Sequence, residues 1–574
     1  MERILEFVRG LPVDFPNVYI ALMRLMAPVL MGVILWRAGK PLLSFRKEPE
    51  IWAILRLEDG TTIPVTHWEN IIGRHPRSDL VINMPTISKN HAVLTRYDDG
   101  SWTITDTESA SGVFINGEQM DICALEPDDE IELGGVKMYL EPITAQQEER
   151  LAQMRTKASS AAVSVMNLLL LSLLQMACCL AFLVNGSMEF AGDIVLGYGG
   201  ILAAQWLLLI FYACIRRSGF EIETIAFLLC TMGMNVIAAT VPQEAMKQLI
   251  ALGLGLGVFF FVGWSLRDLE RAKQLRYWAT IAGIGFLVIT LLFGKEIYGA
   301  KNWLVIGGFS IQPSELSKLC FVYVGASTMD RILRRRNLIG FIAYSVVLCG
   351  LLALMNDFGT ALIFFIAFVS IAYMRSGSVG TIGLAVTSLG FAGVIALKIA
   401  PHALRRFTIW RHVWEDPLGR GYQQTRSLMC LASGGMLGLG AGNGWMKRLF
   451  ACDTDVVFAT VGEEWGLICA MMMVVAVCLL ALFCLRSASL GRSSFYTIGA
   501  CTAASILLAQ TILNVMGTID LLPFTGVTFP FVSNGGSAMI SSWGMLAFVK
   551  AADIRQDASF AIKIHHKRGR EVEE

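Results

Sequence analysis

The sequence predicts a polytopic α-helical membrane protein with an all-β sandwich inserted near its N-terminus. Three observations carry that reading. The 574 residues are 55% hydrophobic and only 16% charged, with a mean hydropathy of +0.57, too apolar for a water-soluble chain. Apolar runs of about 20 residues, the length that crosses a bilayer, recur from position 159 onward. Between them and an earlier apolar run, residues 50–144 switch to short alternating segments separated by turn signals, the pattern of an antiparallel sandwich. The formal net charge of +1 identifies no partner, because in a membrane protein the placement of basic residues matters and their sum does not. The 13 cysteines follow no paired spacing and mostly sit in apolar runs, so no disulfide framework is expected. Cys430 and Cys452, both in a long polar loop, are the pair to check.

Residues 1–49 read as a membrane anchor with a basic flank. The run at about 18–36 is too long for the apolar part of a cleavable signal, and no small-residue cleavage pattern follows it. Arg37, Lys40, Arg46 and Lys47 come directly after it, which places the next segment in the cytoplasm.

In that segment, 50–144, the runs WAILRL, HAVLTRY, WTITD, VFING and IELGGVKMYLE are separated by Asp59-Gly60, Asp99-Gly100 and Asn116-Gly117. The strings IIGRHPRSDLVIN, ISKNHAVL, ITDTESASGVFING and LEPDDEIELGG, in this order, resemble the forkhead-associated (FHA) domain. The resemblance implies a phosphothreonine reader, with Arg74, Ser88, Lys89 and Ser111 at the ligand and His91 supporting the binding loops. A guanidinium fork beside a hydroxyl suits a dianionic phosphate. Ser111-Gly112 departs from the usual Asn-Gly and shortens one gripping side chain. A degenerate sandwich serving as a spacer or interaction module is the bland alternative. Residues 145–158 read as a charged linker.

The membrane part follows. Two additional spans at 159–184 and 193–214 make up a 159–218 segment. A core at 219–551 carries apolar runs at 219–239, 247–265, 276–294, 313–329, 337–355, 358–374, 380–398, 458–485, 494–515 and 534–551. With the anchor this makes about thirteen helices. Basic residues fall on every second connection: Arg216 and Arg217, then 267–276, 331–336, Arg375 and 486–492, joined by the tail 552–574. Those connections are cytoplasmic by the positive-inside rule. The others lie outside, and they hold KNWLVIGGFSIQPSEL, MNDFGT, the long stretch 410–466, and DLLPFTGVTFPFVSNGGS. Helix parity alone therefore gathers four discontinuous polar motifs on one membrane face. The long outer loop is basic, with Lys398, Arg405, Arg406, Arg411, Arg420, Arg426, Lys447 and Arg448. Either long loops simply translocate regardless of charge, or an anionic substrate binds on that side.

These motifs resemble the SEDS family, the FtsW and RodA group of peptidoglycan glycosyltransferases. The match runs through Gly299-Ala300-Lys301-Asn302-Trp303, Gln312-Pro313-Ser314-Glu315-Leu316, Asp357-Phe358-Gly359-Thr360, Asp416-Pro417 to Gln423, 453–466 and Pro530 to Ser537. It implies a core of about ten helices that polymerises lipid II, an undecaprenyl diphosphate-linked disaccharide pentapeptide, at the outer face of a bacterial cytoplasmic membrane. Division, elongation and sporulation enzymes all belong to such a group. The family's catalytic aspartate corresponds to Asp455, as general base on the acceptor hydroxyl; an ordinary helix N-cap is the bland reading of an acid there. Burial would raise its pKa and nearby cations would lower it.

Lys301, Arg420 and Arg426 are candidates for the diphosphate. Trp303, Gln312, Gln423 and Ser533 complete the substrate-side set, with Ser533 to Ser537 shaping a turn. Glu315 and Lys318 either serve the substrate or neutralise each other. Asp357 and Glu464 are either functional intramembrane acids or helix-to-helix glue. Asp453 and Asp455 could share a divalent cation, Mg or Mn, or Asp453 is solvated and idle; no tightly bound cofactor is expected. The expected partners are lipid II, a class B penicillin-binding protein and a phosphothreonine protein such as a Ser/Thr kinase or its substrate, with no nucleic acid. A flippase for the lipid-linked precursor and a non-catalytic scaffold built around the cytoplasmic phospho-reader are the competing readings. Against the flippase, acids and glycines concentrate at the outer face instead of the midplane.

Overall fold

The computed structural model describes residues 15–44, 50–76, 78–97, 100–154, 156–185, 188–267, 269–297, 300–306, 309–330, 335–376, 379–399, 401–489, 494–556 and 558–559. Gly299, Arg46, Lys47, the basic connections at 331–334 and 490–493, and the tail beyond 559 lie outside them.

Helix α1 spans Phe15–Leu42, longer than the apolar run alone because Arg37 and Lys40 continue the helix past it. Two sheets follow. The strands are β1 (Ala53–Leu57), β2 (Thr62–Val65), β3 (Glu69–Gly73), β4 (Leu80–Val81), β5 (Ala92–Arg96), β6 (Trp102–Asp106), β7 (Val113–Ile115), β8 (Glu118–Gln119), β9 (Ile122–Leu125), β10 (Glu130–Leu133) and β11 (Val136–Pro142); one sheet orders them β2-β1-β11-β10-β7-β8 and the other β4-β3-β5-β6-β9. In β1 every second residue is buried, the period of two that faces one side of a strand to a core. Trp52, Leu55, Ile72, Leu94, Ile104, Ile131 and Met138 fill the space between the sheets.

The expected linker after the sandwich is a helix for most of its length, α2 (Ala145–Met154). It is pinned to the sandwich by Glu148, which accepts from Arg96 Nη2 at 3.0 Å. The Arg96 guanidinium lies 4.7 Å from the Trp52 ring and 5.3 Å from the Trp68 ring, so cation–π contact and an ion pair act on one partly desolvated group.

The membrane part comprises α3 (Ala161–Asn185), α4 (Ala191–Cys214), α5 (Glu221–Thr240), α6 (Ala245–Leu266) and α7 (Leu269–Phe293). A small meander of β12 (Lys295–Ile297), β13 (Ala300–Ile306) and β14 (Phe309–Ile311) precedes α8 (Pro313–Asp330), α9 (Arg335–Leu354), α10 (Phe358–Ser376) and α11 (Val379–Ile399). The long loop carries α12 (Pro401–Ile409) and α13 (Tyr422–Gly434). Then come α14 (Val457–Glu464), α15 (Gly466–Ser489), α16 (Ser494–Thr518) and α17 (Gly536–Ala551). Among the described residues eight helices are long and apolar enough to cross a membrane.

The apolar run expected at 458–485 is not one helix. Gly466 takes φ +88° and a Cβ there would run into the Met436 carbonyl, so the chain breaks at this point and α14 becomes a separate short piece.

Helix α5 is buried from Glu221 through Ala238 and touches α1, α3, α4, α6, α14 and α15. Polar rungs bolt the additional helices to it. Gln175 Nε2 donates to Gln205 Oε1 and Thr231 Oγ1, each at 3.0 Å, and Gln205 Nε2 donates to Ser172 Oγ at 3.0 Å. Where lipid leaves no water to bond, such rungs satisfy side chains and hold helices together.

The 20 residues of α5 extend about 30 Å, and its two ends meet different partners. At the first end, Arg555 Nη2 reaches Glu221 Oε2 at 3.2 Å and Asp553 Oδ2 at 2.7 Å. There Lys550 Nζ donates to the Gly219 carbonyl at 2.7 Å and pairs with Glu223 at 3.2 Å. The Tyr212 hydroxyl donates to Glu223 Oε1 at 2.7 Å. The charged side chains in these ion pairs are at most 1% exposed. The segment entering α3 joins this end, with Gln556 N donating to Thr156 O at 3.0 Å. At the second end, Gln248 Nε2 and Glu244 Oε2 hydrogen-bond to Ser533 O and Asn534 Nδ2. The sandwich-side strap and the polar motifs thus occupy opposite ends of α5.

Removing one member of a buried charge cluster leaves its partners unpaired. Arg555→Met is therefore expected to cost about 3–5 kcal/mol, read as a lower midpoint of thermal unfolding in detergent. An unchanged midpoint would show that Glu221 and Asp553 find other partners.

Candidate active site

At the second end of α5 the polar motifs form one hydrogen-bonded assembly around the loop 451–456. Ala451 turns the chain at φ +52°, so that Thr454 N and Asp455 N both donate to its carbonyl, at 3.3 and 3.0 Å. Asn514, on α16, donates from Nδ2 to Asp455 O and Val527 O, each at 2.8 Å. Ser533 Oγ donates to Thr454 O at 2.6 Å and accepts from Phe529 N at 2.8 Å. Asn534 N donates to Asp453 O at 2.8 Å, and its Nδ2 donates to Asp453 Oδ2 at 2.8 Å and Glu244 Oε2 at 2.7 Å.

The Asp455 carboxylate is half-buried beneath the 523–535 segment. Gly526, at φ +68°, passes so close that a Cβ on it would stand 3.2 Å from Asp455 Oδ2. The adjacent Thr525 carbonyl accepts from Arg406 Nη1 at 2.9 Å, which brings the exposed guanidinium of α12 to the rim of the carboxylate. Burial pushes the Asp455 carboxyl up to about 6. A hydrogen bond from Thr454 and the Arg406 charge hold it down, while Asp453 adds repulsion. A carboxylate of that affinity, reachable from one side and fixed by its own backbone, can take a proton from a substrate hydroxyl near neutral pH.

Asp453 is also raised by burial, opposed by its bond from Asn534. That bond bears on a shared divalent cation. The amide N–H takes one of the roughly four lone-pair sites of that carboxylate, and among the described residues no three His, Cys, Asp or Glu groups converge as a metal site.

The remaining expected residues separate into groups. Asp357 caps α10, accepting from Thr360 N at 3.1 Å, and also accepts from Asn302 Nδ2 at 3.1 Å and Gln312 Nε2 at 3.4 Å. Gln312 N donates to Ser537 Oγ at 2.8 Å, joining the meander to α17. Lys301 and Trp303 lie half-buried on β13, where Lys295 pairs with Trp303. Glu315 and Lys318 are buried together, Oε2 to Nζ at 2.7 Å, so each neutralises the other.

Two residues that carried two readings each spend their polar atoms on backbone. Glu464 is fully engaged by backbone: its oxygens accept from Gly442 N at 3.0 Å and Gly444 N at 3.3 Å, because a glycine-rich loop with few side chains needs external acceptors. Beside it Glu463 Oε2 accepts from Met446 N at 2.8 Å. Ser533 is likewise buried and spends its hydroxyl on Thr454 and Phe529, so it shapes this turn.

Gln423 bonds the Phe450 carbonyl at 3.2 Å. Arg426 lies 5.2 Å from the Tyr422 ring and 5.9 Å from the Trp445 ring, and Arg420 is exposed at the start of α13. The cation acting on Asp455 is Arg406, which sequence reasoning counted only as one basic residue of the outer loop. Asn514 was missed altogether, being one polar residue inside an apolar run. Cys430 and Cys452 are free thiols, packed with Met446, Leu449 and Val456 in a small apolar cluster.

On the sandwich, Arg74 and Lys89 are exposed and Ser88 is partly exposed. The loops are set by His91, whose Nδ1 accepts from Ser88 N at 3.2 Å and whose Nε2–H donates to Gly112 O at 3.0 Å. Ala110 N donates to Ser88 Oγ at 3.0 Å. Ser111 corrects the reading made from its position: its Oγ is shut off from solvent, and the hydroxyl that closes this turn is Ser109, accepting from Gly112 N at 3.0 Å.

Residues 224–557 match the family of FtsW/RodA/SpoVE cell cycle proteins, and residues 70–134 match the FHA domain. The chain is 30% identical over 334 residues to the peptidoglycan glycosyltransferase RodA of Mycobacterium tuberculosis, covering 55% of this chain and 71% of that one. It is 33% identical over 330 residues to the probable peptidoglycan glycosyltransferase FtsW of Tolumonas auensis, covering 55% and 83%. A chain from a peptidoglycan synthase complex, solved for its coordination of polymerization and crosslinking, is similar with a TM-score of 0.48 and 24% identity, covering 57% of this chain and 96% of that one.

Arg406→Ala removes the charge that favours the ionised carboxylate. The Asp455 carboxyl should then titrate above about 6, measurable by difference infrared spectroscopy of isotope-labelled aspartate against an Asp455→Asn blank. A downward shift would place Arg406 away from the carboxylate.

Proposed function

Because the chain belongs to the FtsW/RodA/SpoVE family of cell cycle proteins, we propose that it is a peptidoglycan glycosyltransferase whose general base is Asp455. Its substrate is lipid II. In this reading the acceptor sugar's hydroxyl loses its proton to the Asp455 carboxylate as its oxygen bonds the anomeric carbon of the donor. The bond from that carbon to the diphosphate breaks, and the undecaprenyl diphosphate leaves with the electron pair. Arg406, at the rim, would meet the charge that develops on the departing group, with Arg420, Arg426 and Lys301 as further candidate cations. The observation that carries the reading is the half-buried Asp455, fixed through its backbone by Asn514 and raised to about 6.

The site faces outward and the sandwich inward. Short basic connections and the opposite placement of the two polar assemblies along α5 support that orientation. A class B penicillin-binding protein, which would cross-link the glycan product, is the proposed partner. The FHA sandwich recruits or regulates through a phosphothreonine protein, with Arg74 and Ser88 on the phosphate.

Purified protein with its partner and labelled lipid II should yield glycan polymer. Asp455→Asn should lower the rate at least about a hundred-fold while leaving expression and partner binding intact. Because the base must be ionised, the rate should be full above the Asp455 pKa and fall as pH drops through about 6. Polymer formation by Asp455→Asn at the native rate would refute the assignment; lipid moved across vesicles without polymer would make the protein a transporter.

Phosphothreonine peptide binding by the full chain should weaken about ten-fold or more in Arg74→Ala, the scale of a lost charge-assisted bond. Calorimetry decides this, and equal affinity would remove Arg74 from the ligand.

A further inference from the structure

The glycine-rich loop 436–446 is gripped by residues that lie ahead of the family match. Asn185, the last residue of α3, donates from Nδ2 to Ala441 O at 2.6 Å and to Asn443 Oδ1 at 2.7 Å. Ile20, on α1, fills the space in front of Gly440, where any Cβ would collide with Ile20 Cγ2. Phe182, one turn before Asn185, meets the ring of Trp465 at 6.1 Å between centroids, at the break between α14 and α15. The match begins at residue 224, so Ile20, Phe182 and Asn185 belong to the added helices.

What the loop touches next is the candidate active site. Glu463 and Glu464, at the end of α14, accept from Gly442, Gly444 and Met446. Met446 and Leu449 pack against Val456, the residue after Asp455. A shift of the loop is therefore passed to both ends of the short helix that follows the carboxylate.

The other ends of the same two helices enclose the sandwich. α1 ends at Leu42, and Leu43 O accepts from Arg486 Nη1 at the foot of α15. α3 is entered through Thr156 to Ser159, where Thr156 O accepts from Gln556 N at 3.0 Å and Ser159 N donates to Glu221 Oε1 at 3.3 Å. The sandwich is thus inserted between two helices, each tied to the core beside the sandwich and each touching the glycine-rich loop about 30 Å away.

We propose that α1 and α3 are a coupling element, with Asn185 as its positioning residue, through which an occupied phosphothreonine site on the sandwich changes the rate of glycan polymerisation. This rests on the assignment of Asp455 as the base and of Arg74 to the phosphate. Nothing in the chemistry changes; the added helices set where the loop, and with it the carboxylate, sits.

The test uses the full chain with its partner, labelled lipid II, and a phosphothreonine peptide selected from a library for binding through Arg74. In the native protein the peptide should change the polymerisation rate about three-fold, within the range expected for coupling between distant sites. The change should vanish in Asn185→Ala with peptide affinity retained, and return in Asn185→Gln, which keeps the donating amide. Lipid II KM should be unaltered in both variants while kcat carries the effect, a split that general destabilisation would not give. The proposal is overturned if no library peptide binds, if peptide leaves the native rate unchanged, if the response survives in Asn185→Ala, or if Asn185→Gln fails to restore it. An Asp455→Asn protein that still polymerises would instead sink the functional assignment, a separate result.

Discussion

Backbone that lies against a membrane end, away from bulk water, must have its N–H and C=O groups satisfied from within the protein. That constraint explains why so many of the polar side chains near the candidate site act on main chain. Asn514 serves the carbonyls of Asp455 and Val527, Ser533 serves Thr454 and Phe529, and Glu463 and Glu464 serve three amides of the glycine-rich loop. Once each of these groups is spent on backbone, the carboxylate of Asp455 is left at a rim where the Arg406 charge acts on it. A fixed, partly desolvated acid is the product of that satisfaction, and its affinity for a proton follows from it.

The fold was legible wherever periodicity or length was decisive. Alternation in residues 53–57 announces a strand, and runs of about 20 apolar residues announce helices. What escaped was structure set by contacts between distant segments. Gly466 reads as one more glycine in an apolar run until the Met436 carbonyl is seen to occupy its Cβ position. The helix at Ala145–Met154 reads as a charged linker until Glu148 meets Arg96 between two tryptophans. The meander at 295–311 pairs the seven-residue β13 with two strands of only three residues, too short to announce a sheet.

At the site, the motifs gave the right neighbourhood and a mixed set of roles. Parity of the helices predicts that the 300–316, 357–360, 410–466 and 520–537 stretches meet, and hydrogen bonds from Gln312 to Ser537 and from Asn534 to Asp453 join them. Which side chains face a ligand could not be read, because spacing does not reveal where a hydroxyl or carboxylate spends its bonds. For that reason Glu464 and Ser533 carried two readings each, and Ser111 was assigned to the ligand. Arg406 was hidden among many outer-loop cations, since only the fold of α12 brings it to Thr525.

The paired glycines carry a mechanical consequence. At Gly434 a Cβ would meet the Gly462 carbonyl, at Gly438 the Glu464 carbonyl and at Gly466 the Met436 carbonyl, so main chain rests directly on main chain along that seam. With no side chains between them to absorb a displacement, the loop and α14 move as one piece.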